Sequence, residues 1–403
     1  MRLFLGLFLT LMGVNLGVQG LGQPKIVGYY TSWAQFRAAA GQFTPEDIDG
    51  KLLTHAVYAF AKFDYHGRVA PLEHNDLSTE HTAGMYERFN DLKKQYPHLK
   101  TLLSIGGATA QSASFATVLR QDKVRRKLAR DLVKYAIRHG FEGVDIDWEF
   151  EKATAKSSAN CSLLIKFLQE LRLAANSLQR RSFLITAVVG QHSVAGAGAC
   201  IVQIAQLVDW LNVIGYDFHG SWDHYTDANA PLYRDHGSAD SIYYIDHLIQ
   251  KYLKLGVNPA KLVLGIPAYG RSYGNVHLRR FFTKPRNKST GPGAAGKYTK
   301  QPGILAFYEI NQLLQAKQLI SAWDRITDTP YAYNFYTKEW VSYDDQKSVA
   351  LKTDYINKMH LGGAMLWALP LDDFRNGYPL LKTINRRLKK AYLVNPSNPF
   401  AYR

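Results

Sequence analysis

The chain has 403 residues, with 49 Lys+Arg against 33 Asp+Glu for a formal charge of +16, and it is 46% hydrophobic and 20% charged. These fractions exclude a disordered chain, a collagen-like repeat and a polytopic membrane protein. The basic excess suits an anionic partner such as an acidic glycan, and equally suits a solubilising surface; charge alone does not separate the two.

The chain opens with Arg2, an apolar core from Leu3 to Val14 and small residues up to Gly20. That is the pattern of a secretory signal peptide over 1–20, cleaved after Gly20. Asn15 and Gln19 interrupt the run before the ~20 apolar residues that a membrane span needs. A secreted, extracellular, monomeric protein with no membrane association is expected. In an oxidising compartment the only two cysteines, Cys161 and Cys200, most simply form one disulfide. They are too few and too far apart for a zinc site, so neither metal nor cofactor is expected. The sequons at Asn160 and Asn287 are glycosylation candidates.

Eight short apolar runs follow: 26–32, 52–63, 99–105, 143–150, 183–189, 210–216, 262–267 and 363–368. Helical patterns such as 123–138, 162–177 and 241–255 separate several of them. Strand–helix alternation predicts a parallel sheet, and eight units predict an α/β fold of the TIM (β/α)8 barrel type. The alternation breaks after Ser272, where a stretch rich in Arg, Lys, Gly, Pro and Tyr runs to Thr337. It reads as a small α+β insertion subdomain at 273–337, between strand 7 and helix 7. The barrel then occupies 21–272 and 338–393, with a C-terminal tail at 394–403.

The fourth run carries the chemistry: Glu142-Gly143-Val144-Asp145-Ile146-Asp147-Trp148-Glu149-Phe150. Alternate strand residues share a face about 6.6 Å apart. Asp145, Asp147 and Glu149 therefore line the barrel interior, while Val144, Ile146, Trp148 and Phe150 face the helices. Three carboxylates in a low-dielectric column raise one another's pKa, so a proton is retained. That keeps Glu149 protonated near neutral pH, as a general acid requires. A solvated acidic strand fits poorly with the apolar alternate face, and calcium loops are not straight strands.

On this segment the sequence resembles the family 18 glycoside hydrolases, comprising chitinases and chitinase-like lectins. Further family-like blocks are Tyr29–Ala34, Tyr58-Ala59-Phe60, Ser104-Ile105-Gly106-Gly107, Tyr216–Gly220, Tyr269-Gly270-Arg271 and Gly362–Leu369. The resemblance implies hydrolysis of β-1,4 bonds between N-acetylglucosamine units by substrate-assisted, retaining catalysis, the acetamido oxygen of the substrate acting as nucleophile. It assigns Glu149 as acid/base, Asp147 as the group orienting the acetamido nitrogen, and Asp145 as its proton-sharing neighbour. Tyr216 would donate to the acetamido oxygen, with Asp217 against the sugar nearby. Trp367 would floor the subsite of the distorted sugar beside Tyr29 and Phe60, with Trp33 a more distal platform and Gly107 in the strand-three turn. Tyr269 and Arg271 would hold substrate hydroxyl or carbonyl groups. The partner implied is chitin or chito-oligosaccharides.

Some positions depart from the family pattern. Glu142 replaces an Asp, Ala108 stands where many chitinases place Trp, and Ile214-Gly215 replace the usual pair before Tyr216. Gly28 and Leu53 occupy the positions of a disulfide common in animal relatives. The leading alternative is a non-catalytic chitin-oligosaccharide lectin, in which the terminal Glu of the signature is usually replaced. Gly270-Arg271-Ser272-Tyr273-Gly274 also matches a serine-hydrolase elbow, but no helix pattern follows it. The basic clusters at Arg125, Arg126, Lys127 and Arg130 and at Arg386, Arg387, Lys389 and Lys390 read as solvated helix faces, and nucleic-acid binding is not expected.

Overall fold

The structure, a computed structural model, describes residues 23–107, 111–148, 155–191, 198–235, 242–277 and 286–394. The expected signal segment and residues 395–403 of the expected tail lie outside that set, as do Ala108 and Glu149.

In chain order the strands are β1 (Lys25–Thr31), β2 (His55–Phe63), β3 (Val69–Pro71), β4 (Lys100–Gly106), β5 (Gly143–Asp147), β6 (Leu184–Val189), β7 (Trp210–Val213), β8 (Leu262–Pro267), β9 (Tyr269–Tyr273), β10 (Ile304–Ala306), β11 (Ile320–Asp324), β12 (Thr329–Asn334), β13 (Glu339–Ser342) and β14 (Gly363–Trp367). The helices are α1 (Met85–Gln95), α2 (Gln111–Leu119), α3 (Asp122–Arg138), α4 (Ala155–Ser177), α5 (Gly198–Leu207), α6 (Ile245–Lys254), α7 (Phe307–Gln315), α8 (Gln346–Lys358) and α9 (Pro379–Val394).

Parallel pairing runs β1-β14-β8-β7-β6-β5-β4-β2, and β2 pairs back to β1, which closes the barrel. This is the expected TIM barrel. Its strands are buried on both faces, which explains the near-continuous apolar runs. A separate five-stranded antiparallel sheet, β10-β9-β13-β12-β11, forms the insertion together with α7. Tyr273, Val276, Tyr331, Tyr333 and Trp340 give it a small core of its own. The sheet runs from Tyr269 to Ser342, somewhat wider than the expected 273–337. The apolar run of β8 continues into β9 with only Ala268 between them, so composition does not mark where the chain changes sheets.

Two expected strands end early, β5 at Asp147 and β7 at Val213, which places Trp148 and Tyr216-Asp217 in the connections at the C-terminal mouth. Cys161 and Cys200 form the expected disulfide, joining α4 to α5 with Cα atoms 6.3 Å apart. The Gly28 and Leu53 positions are filled by packing: a Cβ on Gly28 would lie 2.8 Å from Leu369 and 2.9 Å from Leu53. Glu142 accepts hydrogen bonds from Thr101 N at 2.8 Å and Lys93 Nζ at 2.6 Å, well away from the mouth.

One expectation for the basic clusters is corrected. Arg125 is not solvated but buried, with its guanidinium held by Glu170 of α4 and by Asp122, because α3 and α4 pack along that line. The serine-elbow pattern is likewise accounted for: Ser272 is buried within β9 and no helix follows it directly. Among the described residues, no helix is long and apolar enough to cross a membrane.

Asp372 accepts hydrogen bonds from the backbone N–H groups of Asp373, Leu380 and Leu381 and so caps the start of α9. Burial nevertheless pushes its carboxyl up to about 6. A raised acid is protonated more readily in the folded state. Its presence therefore costs nothing below the unfolded pKa of 3.8, and an increasing penalty up to about 6. Folding stability of the parent, from urea midpoints, should fall by roughly 2–3 kcal/mol more than that of Asp372→Asn between those pH values. Parallel pH curves for the two proteins would contradict this.

Candidate active site

The barrel register builds the centre of the site. Ser104 of β4, Asp145 of β5 and Thr186 of β6 are direct neighbours across three parallel strands. Their side chains converge inward because each sits at the same pleat position. Asp145 is wholly buried, and four groups donate to its carboxylate. Tyr29 Oη donates to Oδ2 at 2.8 Å and Ser104 Oγ to Oδ2 at 2.7 Å. Thr186 Oγ1 donates to Oδ1 at 2.6 Å and Asn212 Nδ2 to Oδ1 at 3.2 Å. Asn212 also donates to Tyr29 Oη at 3.0 Å and accepts from Trp210 Nε1 at 3.0 Å.

Burial raises the pKa of Asp145, and the hydrogen bonds from Thr186, Ser104, Tyr29 and Asn212 pull it partly back. Burial is the largest cause of that rise, where repulsion between carboxylates was expected. Burial also lifts the Tyr29 hydroxyl well above its ordinary value, with both Asp145 and Asp147 adding to the effect. Asp147 is itself buried, one step closer to the mouth. Of the outward set, Val144, Ile146 and Trp148 are buried as the alternation predicts, Trp148 stacking on Phe115 of α2 with ring centroids 5.3 Å apart, while Phe150 lies outside the described residues.

The Gly106-Gly107 turn lets two chains approach closely. Both residues have positive φ, and Gly107 N donates to Asp147 O at 2.9 Å. A Cβ on Gly106 would lie 2.0 Å from that same carbonyl oxygen, and one on Gly107 would lie 2.8 Å from the Phe60 ring. Glycine is required here by space as well as by backbone angle.

Above the carboxylates lies a row of rings. Tyr29 and Trp367 have centroids 5.2 Å apart, Phe60 and Trp367 6.1 Å, and Trp33 stacks on Phe60 at 6.1 Å. Trp367 is half-buried and Trp33 is 39% exposed, so the row opens towards solvent at the Trp33 end. Flat apolar faces in sequence suit the C–H faces of sugar rings.

Tyr216 is buried and meets Tyr269 edge to face. Asp217 adopts a left-handed φ of 58° and turns its carboxylate towards the insertion sheet. Tyr269 Oη donates to Asp217 Oδ1 at 2.5 Å, and Arg271 Nε donates to the same oxygen at 2.7 Å. Arg271 Nη2 reaches Oδ2 at 2.7 Å, completing a two-pronged ion pair. Burial opposes the charge on Arg271, but Tyr269 and Asp217 together hold its pKa above the ordinary value.

Expected residues Tyr29, Phe60, Gly107, Asp145, Asp147, Tyr216, Asp217, Tyr269, Arg271, Trp367 and Trp33 thus collect at one end of the barrel. The sequon residue Asn287 is only 4% exposed, with its backbone paired to Thr226, which leaves little room for a glycan. Asn160 is half-buried on α4. Thr186, Asn212, Trp222 and Asn229 were not singled out in the sequence, and Ser104 only as the first residue of its family-like block. Thr186 and Asn212 carried a signal, since each is the one polar side chain in an apolar strand that a closed barrel must satisfy internally. Trp222 is 56% exposed, and the Arg271 guanidinium lies over its ring at 5.0 Å.

Buried carboxylates beneath a row of rings, at the C-terminal mouth of a (β/α)8 barrel, define the class of glycoside-hydrolase barrels. The model of Glycosyl hydrolases family 18 matches residues 25–372, and the chain belongs to that family. It is 34% identical to mouse chitotriosidase-1 over 92% of this chain and 79% of that protein. Among solved structures it is similar to an Ostrinia furnacalis Group IV chitinase in complex with allosamidin, at 31% identity and a TM-score of 0.83, covering 91% of this chain and 99% of the other. It is also similar to human YKL-39, a pseudo-chitinase with retained chitooligosaccharide binding, at 30% identity and a TM-score of 0.81, covering 91% and 100%. Family membership therefore includes both enzymes and binding proteins.

Removing the Tyr29 hydroxyl tests the buried network. Tyr29→Phe keeps the ring on Trp367, but takes one donor from Asp145 and one acceptor from Asn212. It should lower unfolding free energy by about 1–3 kcal/mol in urea titrations. A change below about 0.5 kcal/mol would show that the network has slack.

Proposed function

We propose that this protein is a secreted chitinase that hydrolyses β-1,4 bonds between N-acetylglucosamine units with retention. The observation that carries the reading is the buried Asp145–Asp147 pair, which continues in sequence through Trp148 to an intact Glu149. In this reading the substrate lies along Trp33, Phe60 and Trp367 and places its scissile bond over Asp147. Glu149 protonates the leaving oxygen while the acetamido oxygen attacks the anomeric carbon. The C–O bond breaks, an oxazolinium ion forms, and Glu149 then takes a proton from the water that opens it.

Asp147 orients the acetamido nitrogen and balances its developing positive charge. Asp145, kept neutral more readily by burial, shares a proton with Asp147 from below. Tyr216 donates to the acetamido oxygen, while Arg271 and Tyr269 hold Asp217 at the edge of the same sugar. The Cys161–Cys200 disulfide and the apolar segment at 1–20 support action outside the cell. The likeness to YKL-39 supports a second reading, a lectin that occupies the same aromatic row without cleavage.

Glu149→Gln separates the two. It preserves shape but cannot deliver a proton, so turnover of a fluorogenic chitotriose glycoside should fall by about 10²- to 10⁴-fold or more. Chito-oligosaccharide binding, measured by calorimetry, should persist because the ring row is untouched. Equal rates for parent and variant would overturn the mechanism. A parent that binds chito-oligosaccharides without ever cleaving them would establish the lectin reading.

A further inference from the structure

Asp217 presents a physical problem. It is a non-glycine residue in the left-handed region, immediately after Tyr216, in a connection that has just left the sheet at Val213. A backbone of that kind persists only where its surroundings over-determine it. The side-chain contacts to Tyr269 and Arg271 hold the carboxylate, but they do not fix the peptide that carries it.

The backbone is held by Asn229, which is wholly buried. Asn229 Oδ1 accepts from Asp217 N at 3.0 Å, and its backbone carbonyl accepts from Phe218 N at 3.1 Å. Its Nδ2 donates to Tyr269 O at 3.3 Å, at the start of β9. Its own N–H donates to Ser342 Oγ at 2.9 Å, on β13. Ser342 is the cross-strand partner of Arg271. One amide side chain and its peptide thus tie the turn that bears Asp217 to both strands that position Arg271.

We propose that Asn229 is the positioning residue of the active site, which fixes Tyr216-Asp217 against the Tyr269–Arg271 strand of the insertion subdomain. The inference rests on the hydrolase reading above. An asparagine is suited to this place because it offers an acceptor to Asp217 N and a donor to the Tyr269 carbonyl at once. Without it, Asp217 is free to relax out of the left-handed region. The carboxylate then swings away from Arg271, and the Tyr216 ring is carried with the same peptide. Sugar binding along Trp33, Phe60 and Trp367 does not pass through Asn229, so affinity and turnover should respond differently.

The test compares Asn229→Ala and Ser342→Ala with the parent. For Asn229→Ala, kcat on a fluorogenic chitobiose glycoside should fall by about 10²-fold, the scale of a misplaced catalytic contact. KM and chitotriose affinity should change by less than about threefold. Ser342→Ala removes only the anchor of the Asn229 N–H and should show the same split, weaker, even if Asn229→Ala folds poorly. A crystal structure of either variant should show Asp217 leaving its left-handed φ.

A kcat within about twofold of the parent in both folded variants would overturn the inference. So would a loss of kcat matched by equal losses of affinity and thermal stability. If the parent itself fails to cleave, the hydrolase reading falls instead. The conformation of Asp217 in the variant structures then decides the role of Asn229 alone: relaxation supports it and an unchanged φ refutes it.

Discussion

A carboxylate at the axis of the barrel is the constraint on which the rest of the site depends. Asp145 has no access to water, so its charge or its proton must be satisfied by the strands themselves. Four strands besides its own contribute donors: β1 through Tyr29, β4 through Ser104, β6 through Thr186 and β7 through Asn212. A shift of register in any one of them would leave a donor or an acceptor unpaired in a low-dielectric interior. The hub therefore couples the closure of the barrel to the geometry of its mouth, and Asp147 stands directly above it.

The site divides its charges into two kinds. Asp145 and Asp147 are both buried below the aromatic row, and burial favours the protonated form of Asp145. Asp217 stands at the rim with a side chain 36% exposed, neutralised by Arg271. In the proposed reaction the first pair shares a proton beneath the reacting centre, and the second fixes the orientation of a substrate edge. The insertion sheet matters because it supplies Tyr269 and Arg271, and through Ser342 it also anchors the peptide of Asp217.

Much of this was legible in the sequence, for identifiable reasons. Eight apolar runs with alternating helices have few solutions other than a closed parallel barrel, and the Asp145–Asp147 spacing fixes a shared face. The aromatic row was read from resemblance rather than from periodicity, because Trp33 follows β1, Phe60 lies within β2 and Trp367 ends β14. What escaped was long-range pairing. Asn212 and Asn229 look like ordinary polar residues until the fold brings them to Asp145 and Asp217, 67 and 12 residues away. Strand ends were also overdrawn, since Trp148 and Tyr216 continue an apolar pattern after the backbone has left the sheet. The buried Arg125 shows the converse: a basic run on a helix hides one member when a neighbouring helix offers Glu170.

In the proposed reaction these buried carboxylates serve a substrate whose own acetamido group is the nucleophile. Proton NMR of chitotetraose hydrolysis, recorded during the first turnovers before mutarotation, tests it most directly. The new reducing ends should appear as the β-anomer, and an analogue lacking the acetyl group on the scissile sugar should be bound but not cleaved. Products appearing first as the α-anomer, or cleavage of the deacetylated analogue at an undiminished rate, would contradict it.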